Sequence, residues 1–200
     1  MMLAVCCLAL LLQPQSGVTR LLAPPLLQPG LAILLPDPAW FKQPLDHFNV
    51  RCYKSSSIFV FVTNSFGRDG RVWRQRYWVD RRHQQPGGPV LLLVGGEGEA
   101  SPAWLRAGAL SQYAAEHGAA MYVLEHRYYG HSRPTANLST KELAWLSADQ
   151  ALADAARFIR AQRRPGEKWV ALGGSYPVQF YCDITLTSLL YRARWQAGCD

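Results

Sequence analysis

Three short apolar runs, Val90 to Val94, Ala119 to Leu124 and Trp169 to Leu172, carry no charged residue and no polar alternation. A strand built from such a run has no face suited to water, so it belongs in a parallel sheet covered on both sides. Between the runs lie two stretches with helical spacing. Ala103 to His117 sets Leu105, Ala109, Leu110, Tyr113 and Ala114 near one face, and Gly118 stops it. Ser147 to Gln162 opens with Ser147 and Gln150 at capping-box spacing. It carries Ala148, Ala151, Leu152, Ala155 and Ile159 as an apolar stripe and ends before Pro165-Gly166. Strand, helix, strand, helix, strand is the order of a doubly wound sheet, and the fold class expected is α/β.

Upstream, Ile58 to Thr63 reads as a short strand closed by Asn64, Ser65 and Gly67. Val72 to Val79 alternates, with Trp73, Gln75, Tyr77 and Val79 on one face and Val72, Arg74, Arg76 and Trp78 on the other. The turn Pro86-Gly87-Gly88-Pro89 follows. The formal charge of +7 raises the question of nucleic acid. Its densest group, Arg68, Arg71, Arg74, Arg76, Arg81 and Arg82, is interleaved with Trp73, Tyr77 and Trp78, and it reads as a strand with a basic edge. No binding module accompanies the charge, so a nucleic-acid partner is not expected.

Residues 1–17 read as a secretory signal, with an apolar run from Met1 to Leu12 followed by Gln13, Pro14, Gln15, Ser16 and Gly17. The run is well short of the ~20 residues a membrane span needs, and Leu21 to Leu35 is broken by Pro24, Pro25, Pro29 and Gly30. No membrane span is expected, and the compartment expected is lumenal or extracellular. Residues 18–46, rich in Leu and Pro, read as a pro-segment or irregular lead-in. Asn137-Leu138-Ser139 is an N-glycosylation sequon in a polar loop, which agrees with that compartment. Outside the signal stand Cys52, Cys182 and Cys199, an odd number whose pairing is left open. No Cys/His spacing suits a metal, and neither metal nor cofactor is expected.

The chemistry concentrates in Lys168 to Tyr176, where an apolar strand feeds Gly173-Gly174-Ser175. A tight turn at the end of a strand exposes a serine hydroxyl as a nucleophile, and the small residue two positions earlier lets the chain bend. The N–H of Tyr176 is the expected first oxyanion donor. Gly95 to Gly98, after an earlier strand, is placed to supply the second, at Gly96, because glycines let the backbone approach a substrate carbonyl. Two features set limits. Pro177 biases Tyr176 away from the helical region that an elbow helix would use. After Ser175 the sequence offers Asp183 and Asp200 and no histidine. His126 and His131 lie in a loop at the carboxyl end of a neighbouring strand, where the reading as structural loop residues is preferred.

Five segments in order, Leu45-Asp46-His47-Phe48-Asn49, Gln75-Arg76-Tyr77-Trp78-Val79, Gly95-Gly96-Glu97-Gly98, Glu125 to Ser132 and Gly173-Gly174-Ser175-Tyr176, resemble the prolyl carboxypeptidase and dipeptidyl peptidase II family of serine peptidases. The thymus-specific serine protease branch is the nearest in look. The resemblance implies an α/β-hydrolase serine exopeptidase of the lysosomal, endosomal or extracellular compartments. It further implies action on peptide bonds next to proline through an acyl-enzyme on Ser175. It also implies that residues 47–176 are the N-terminal part of the hydrolase domain, with 51–68 as a possible insertion and 177–200 as a divergent tail. The fold is then expected to be truncated after the nucleophile elbow, and the chain alone is expected to be inactive. The alternatives are a non-catalytic secreted peptide-binding protein and an unstable truncated product. Oligomeric state is left open.

Overall fold

The structure, a computed structural model, describes residues 35–48, 53–55, 58–60 and 70–173. Its seven strands are β1 (Ala39–Pro44), β2 (Tyr53–Ser55), β3 (Ile58–Val60), β4 (Val72–Asp80), β5 (Val90–Val94), β6 (Ala120–Leu124) and β7 (Trp169–Leu172). The α-helices are α1 (Ala109–His117) and α2 (Ala148–Gln162), and 3₁₀ turns occupy Pro102–Leu105 and Glu142–Trp145. Five strands form one sheet in the order β1-β4-β6-β5-β7, while β2 and β3 pair as a separate antiparallel ribbon. The class is α/β.

The sheet is mixed rather than wholly parallel. β5 is parallel to β6 and to β7, and β4 is antiparallel to both β6 and β1. The reason lies in the connections. Residues 81–89 join β4 to β5 through a turn too short for a crossover, whereas α1 and α2 carry the chain back across the sheet from β5 to β6 and from β6 to β7. Those crossovers run in opposite directions along the sheet. A common right-handed sense therefore puts the helices on opposite faces. Two cores result. Leu91, Met121, Val123 and Trp78 pack with Leu105, Leu110 and Ala114 under α1. Val90, Leu92, Val94, Tyr122 and Leu124 pack with Ala151, Leu152, Ala155 and Phe158 under α2.

Three expectations from the sequence are revised. The stretch Ala103 to His117 is not one helix: Ser101 caps the 3₁₀ turn through a bond from the Ala103 N–H, and Gly108 at φ +83° breaks the path before α1. Gly118 does end α1, at φ +59°. The strand β1 falls in a stretch read as irregular, and it runs in full register against β4 from Ala39 opposite Tyr77 to Pro44 opposite Val72. β7 is half-buried rather than buried, with Val170 exposed, because it is the outermost strand among the described residues. The arginines of β4 also divide. Arg74 is exposed and lies over the Trp40 ring, whereas Arg76 is buried and ion-paired.

Phe158 is the fully buried centre of the α2 core, with Phe41, Tyr77, Tyr122 and Trp169 ring centroids at 5.4, 4.9, 5.7 and 6.4 Å. It ties α2 to four strands. Replacing Phe158 by Ala removes edge contacts with all four rings and is expected to cost about 3–5 kcal/mol. Urea unfolding should show a lower midpoint at an unchanged slope, and Phe158→Leu should recover much of the loss.

Candidate active site at the carboxyl edge of the sheet

β5, β6 and β7 point the same way, so the loops that leave them share one edge. In register, Val94 lies opposite Leu124 and Leu93 opposite Leu172. Gly173 therefore leaves the sheet beside the end of β5. The β5 and β6 loops depart toward opposite faces at this edge, the usual place for a site in an open α/β sheet.

The loop after β5 is seated by Gly95, whose N–H donates to Leu124 O at 2.8 Å. A Cβ at Gly95 would stand 3.2 Å from that same oxygen, so the close approach favours glycine. Gly96 is half-buried, and among the described residues its N–H is not taken up by the sheet ladder or a turn. Glu97 and Glu99 are exposed beyond it.

The loop after β6 is held from beneath by two buried ion pairs, Arg76 with Glu125 on the face of Trp78 and α1, and Arg127 with Asp154 of α2 on the other. The chain has left the strand at Glu125 and turns at Arg127, so residues two apart no longer share a face. The Glu125 carboxylate has no exposure. It accepts from Arg76 Nε at 3.1 Å and Nη2 at 2.5 Å, from the Ala100 and His131 N–H groups at 3.2 and 3.1 Å, and from Ser132 Oγ at 2.8 Å. One carboxylate thus anchors both loops. Burial opposes the Arg76 charge, but its hydrogen bonds to Glu125 and to Glu99 outweigh that and raise its pKa. The hydrogen bond from Arg76 and the attraction of its charge hold the Glu99 carboxyl below the usual range.

On the other face, Arg127 donates to both Asp154 oxygens at 2.6 and 2.9 Å, and through Nη1 to Leu45 O and Trp145 O at 3.1 and 2.8 Å. His47 Nε2 stands 2.6 Å from Asp154 Oδ1. Burial works against the Asp154 charge, and Arg127 with the His47 hydrogen bond overcomes it, so the carboxyl is held below its ordinary pKa. A pair of glutamines links the two faces. Gln43 Nε2 donates to Gln75 Oε1 at 2.8 Å and to Asp154 O at 2.9 Å, and Gln75 Nε2 donates to Glu125 O at 2.8 Å.

Tight backbone geometry completes this loop. Tyr128 sits at φ +70°, with its N–H bonded to Ser132 O and its hydroxyl to Glu142 O. Gly130, at φ +53°, leaves no room for a side chain, since a Cβ would lie 2.0 Å from Glu125 Oε1. His126 is buried, with Nδ1 2.7 Å from Arg127 O, and burial lowers its pKa. His131 is exposed, 3.6 Å from Glu99.

Of the residues singled out from sequence, Gly96 lies on the carboxyl edge and Asn137 in an exposed loop. Ser175 and Tyr176 lie outside the described residues, as do Cys52, Cys182 and Cys199 and most of 51–68. Asp154 and Arg76 were not anticipated as site-building residues. The signal for Asp154 was its position three after Ala151 and four before Phe158, inside the buried stripe of α2.

The family model for serine carboxypeptidase S28 matches residues 64–182, more than half of the chain. The chain belongs to the serine carboxypeptidase S28 family. Similar members include the thymus-specific serine protease of Mus musculus, 34% identical over 161 residues, which are 75% of this chain and 28% of the relative. The Homo sapiens thymus-specific serine protease is 36% identical over 156 residues, 75% of this chain and 27% of the relative. The lysosomal Pro-X carboxypeptidase of Mus musculus is 34% identical over 158 residues, 70% and 29%. The chain spans about a quarter of the length of the curated S28 relatives it matches.

Two tests address the buried pairs. Gly130→Ala should destabilise by more than about 2 kcal/mol, since left-handed backbone strain adds to a displaced Glu125 carboxylate. Gly166→Ala, at φ +82° with open space around it, should show the strain alone, so the difference in denaturation midpoint reports the clash. For Asp154, the depressed folded pKa means that its stabilisation is complete above the unfolded value of about 3.9 and is lost as pH falls through the folded one. Asp154→Asn should therefore cost about 3–5 kcal/mol near neutral pH, where it strands the buried Arg127, and progressively less in strong acid. Urea midpoints of both proteins across pH 3 to pH 7 measure that narrowing gap.

Proposed function

We propose that this chain carries the nucleophile-bearing part of a serine exopeptidase that cleaves peptide bonds next to proline, with Ser175 forming the acyl-enzyme. The observation that carries the reading is the meeting of two loops on one edge. The glycine loop after β5, with the Gly96 N–H uncommitted among the described residues, lies beside the end of β7, three residues ahead of Ser175. An attacking serine needs donors that wait for the oxyanion, and Gly96 with the Tyr176 N–H would form such a pair. The strand order β1-β4-β6-β5-β7, with β4 antiparallel to the other four strands of the sheet, supports an α/β-hydrolase fold. The family match extends through Ser175 and Tyr176.

The substrate class follows from the named relatives, one of which is a Pro-X carboxypeptidase. The proposed setting is the secretory pathway, with a lysosomal, endosomal or extracellular destination. No helix among the described residues is long and apolar enough to cross a membrane. Residues 47–176 are read as the N-terminal part of the hydrolase domain. No histidine follows Ser175 in these 200 residues, and His47 and His126 are tied up within the fold. A polypeptide of these residues alone is expected to turn over substrate negligibly, because a serine without its base loses several orders of magnitude in rate.

A chimera tests the reading. Residues 64–176 replace the matching segment of the mouse lysosomal Pro-X carboxypeptidase, and cleavage of a Pro-X peptide is followed together with fluorophosphonate labelling. The chimera should turn over the peptide and label at Ser175. Ser175→Ala should abolish labelling and reduce kcat by roughly 10⁴- to 10⁶-fold without changing the thermal melt. A folded chimera whose turnover survives Ser175→Ala would refute the assignment.

A further inference from the structure

The loop between the β6 network and α2 has no part in the chemistry proposed above, and its geometry suits a different reaction. Of the three asparagines in the sequence, Asn49, Asn64 and Asn137, only Asn137 has a hydroxyl residue two positions on. Asn137, Leu138 and Ser139 are all exposed, Leu138 by 52%. Their conformation is built rather than loose. Thr135 Oγ1 donates to Asn137 O at 2.9 Å, the Ser139 N–H donates to Asn137 Oδ1 at 3.0 Å, and the Leu143 N–H donates to Ser139 O at 2.9 Å.

The consequence is chemical. The carboxamide oxygen is turned back on the Ser139 N–H, which brings the Asn137 side chain and the Ser139 residue to the same side of the turn. Among the described residues neither Asn137 Nδ2 nor Ser139 Oγ makes a hydrogen bond, so both reactive groups of the triplet face solvent. The loop is pinned to the protein on its inner side, where Glu142 O accepts the Tyr128 hydroxyl and Trp145 O accepts from Arg127. A bulky group on the outer side would displace no buried contact.

We infer that Asn137 is a site of N-linked glycosylation. The donor is an oligosaccharide carried on a polyprenyl diphosphate. Asn137 Nδ2 forms a bond to the anomeric carbon, the anomeric C–O bond breaks, the polyprenyl diphosphate leaves with the electron pair, and the amide gives up one proton. α2 follows β6 in a crossover, so its N-terminal end and the loop before it lie at the carboxyl edge of the sheet. The glycan therefore stands at the rim of the proposed site rather than at its opposite end.

The full chain, expressed behind a supplied secretion leader in a glycosylating host, tests this without reference to peptidase activity. The secreted protein should run as a slower band that peptide N-glycosidase collapses, leaving aspartate at position 137 in the peptide map. Asn137→Gln and Ser139→Ala should each abolish the shift, and Thr140→Ala, one residue outside the triplet, should keep it. Secreted protein that carries no glycan, or a shift that persists in Asn137→Gln, would overturn the assignment.

Discussion

The bidentate contact between Arg127 and Asp154 is the constraint on which the rest of the arrangement depends. Both groups are buried, and stripping two ions of water costs several kcal/mol each before their attraction returns anything. The cost is offset because four of the five N–H groups of the guanidinium are used: two on the carboxylate, and one each on Leu45 O and Trp145 O. One side chain thereby sets four segments against each other, namely the end of β6, the residues after β1, the 3₁₀ turn of Glu142–Trp145 and the middle of α2. An apolar substitute of similar volume could fill the space. It could not fix the rotation of α2 or the register of β1 to the same degree, because apolar contacts lack direction.

The second pair, Arg76 with Glu125, does for the α1 face what the first does for the α2 face, and it reaches further toward the reacting edge. Glu125 gathers N–H groups from the β5 loop and the β6 loop on one carboxylate. The position of Gly96 is thus tied to a charge inside the sheet as well as to the close approach of Gly95 to Leu124 O. Gln43 and Gln75 pass that order across the sheet by hydrogen bonds between their amides and on to Asp154 O and Glu125 O. Loops at a functional edge gain accuracy when ordered elements beneath them hold their backbone.

Much of this frame was legible from residues alone, and the failures have physical causes. The unalternating runs identified β5, β6 and β7, and Ser147 with Pro165-Gly166 bracketed α2, because burial on both faces and capping are local requirements. β1 escaped because Ala39–Pro44 has two exposed, two half-buried and two buried positions, and its pairing with β4 is visible only in three dimensions. The long α1 prediction failed at Gly108, whose positive φ outweighed the helical spacing around it. Arg76 read as part of a basic edge because charge on a strand ordinarily means water. Its partner, Glu125, lies 49 residues away, and no period in the sequence joins them.

The short contact between His47 and Asp154 invites comparison with the orienting acid and base of a serine peptidase, and the geometry argues against it. An orienting carboxylate must keep its negative charge available to stabilise an imidazolium as the proton arrives. Asp154 is already paired through both oxygens to Arg127, so its charge is neutralised before His47 is considered. The side chains of His47 and Asp154 are 4% and 1% exposed, which leaves no path for a substrate. The His47 N–H is bonded to Gln150 Oε1, and Gln150 Nε2 donates to Asp46, which fixes the segment against the first turn of α2. A proton acceptor for the proposed nucleophile would have to serve the ends of β5 and β7, and this histidine is spent on holding the lead-in of the chain against α2.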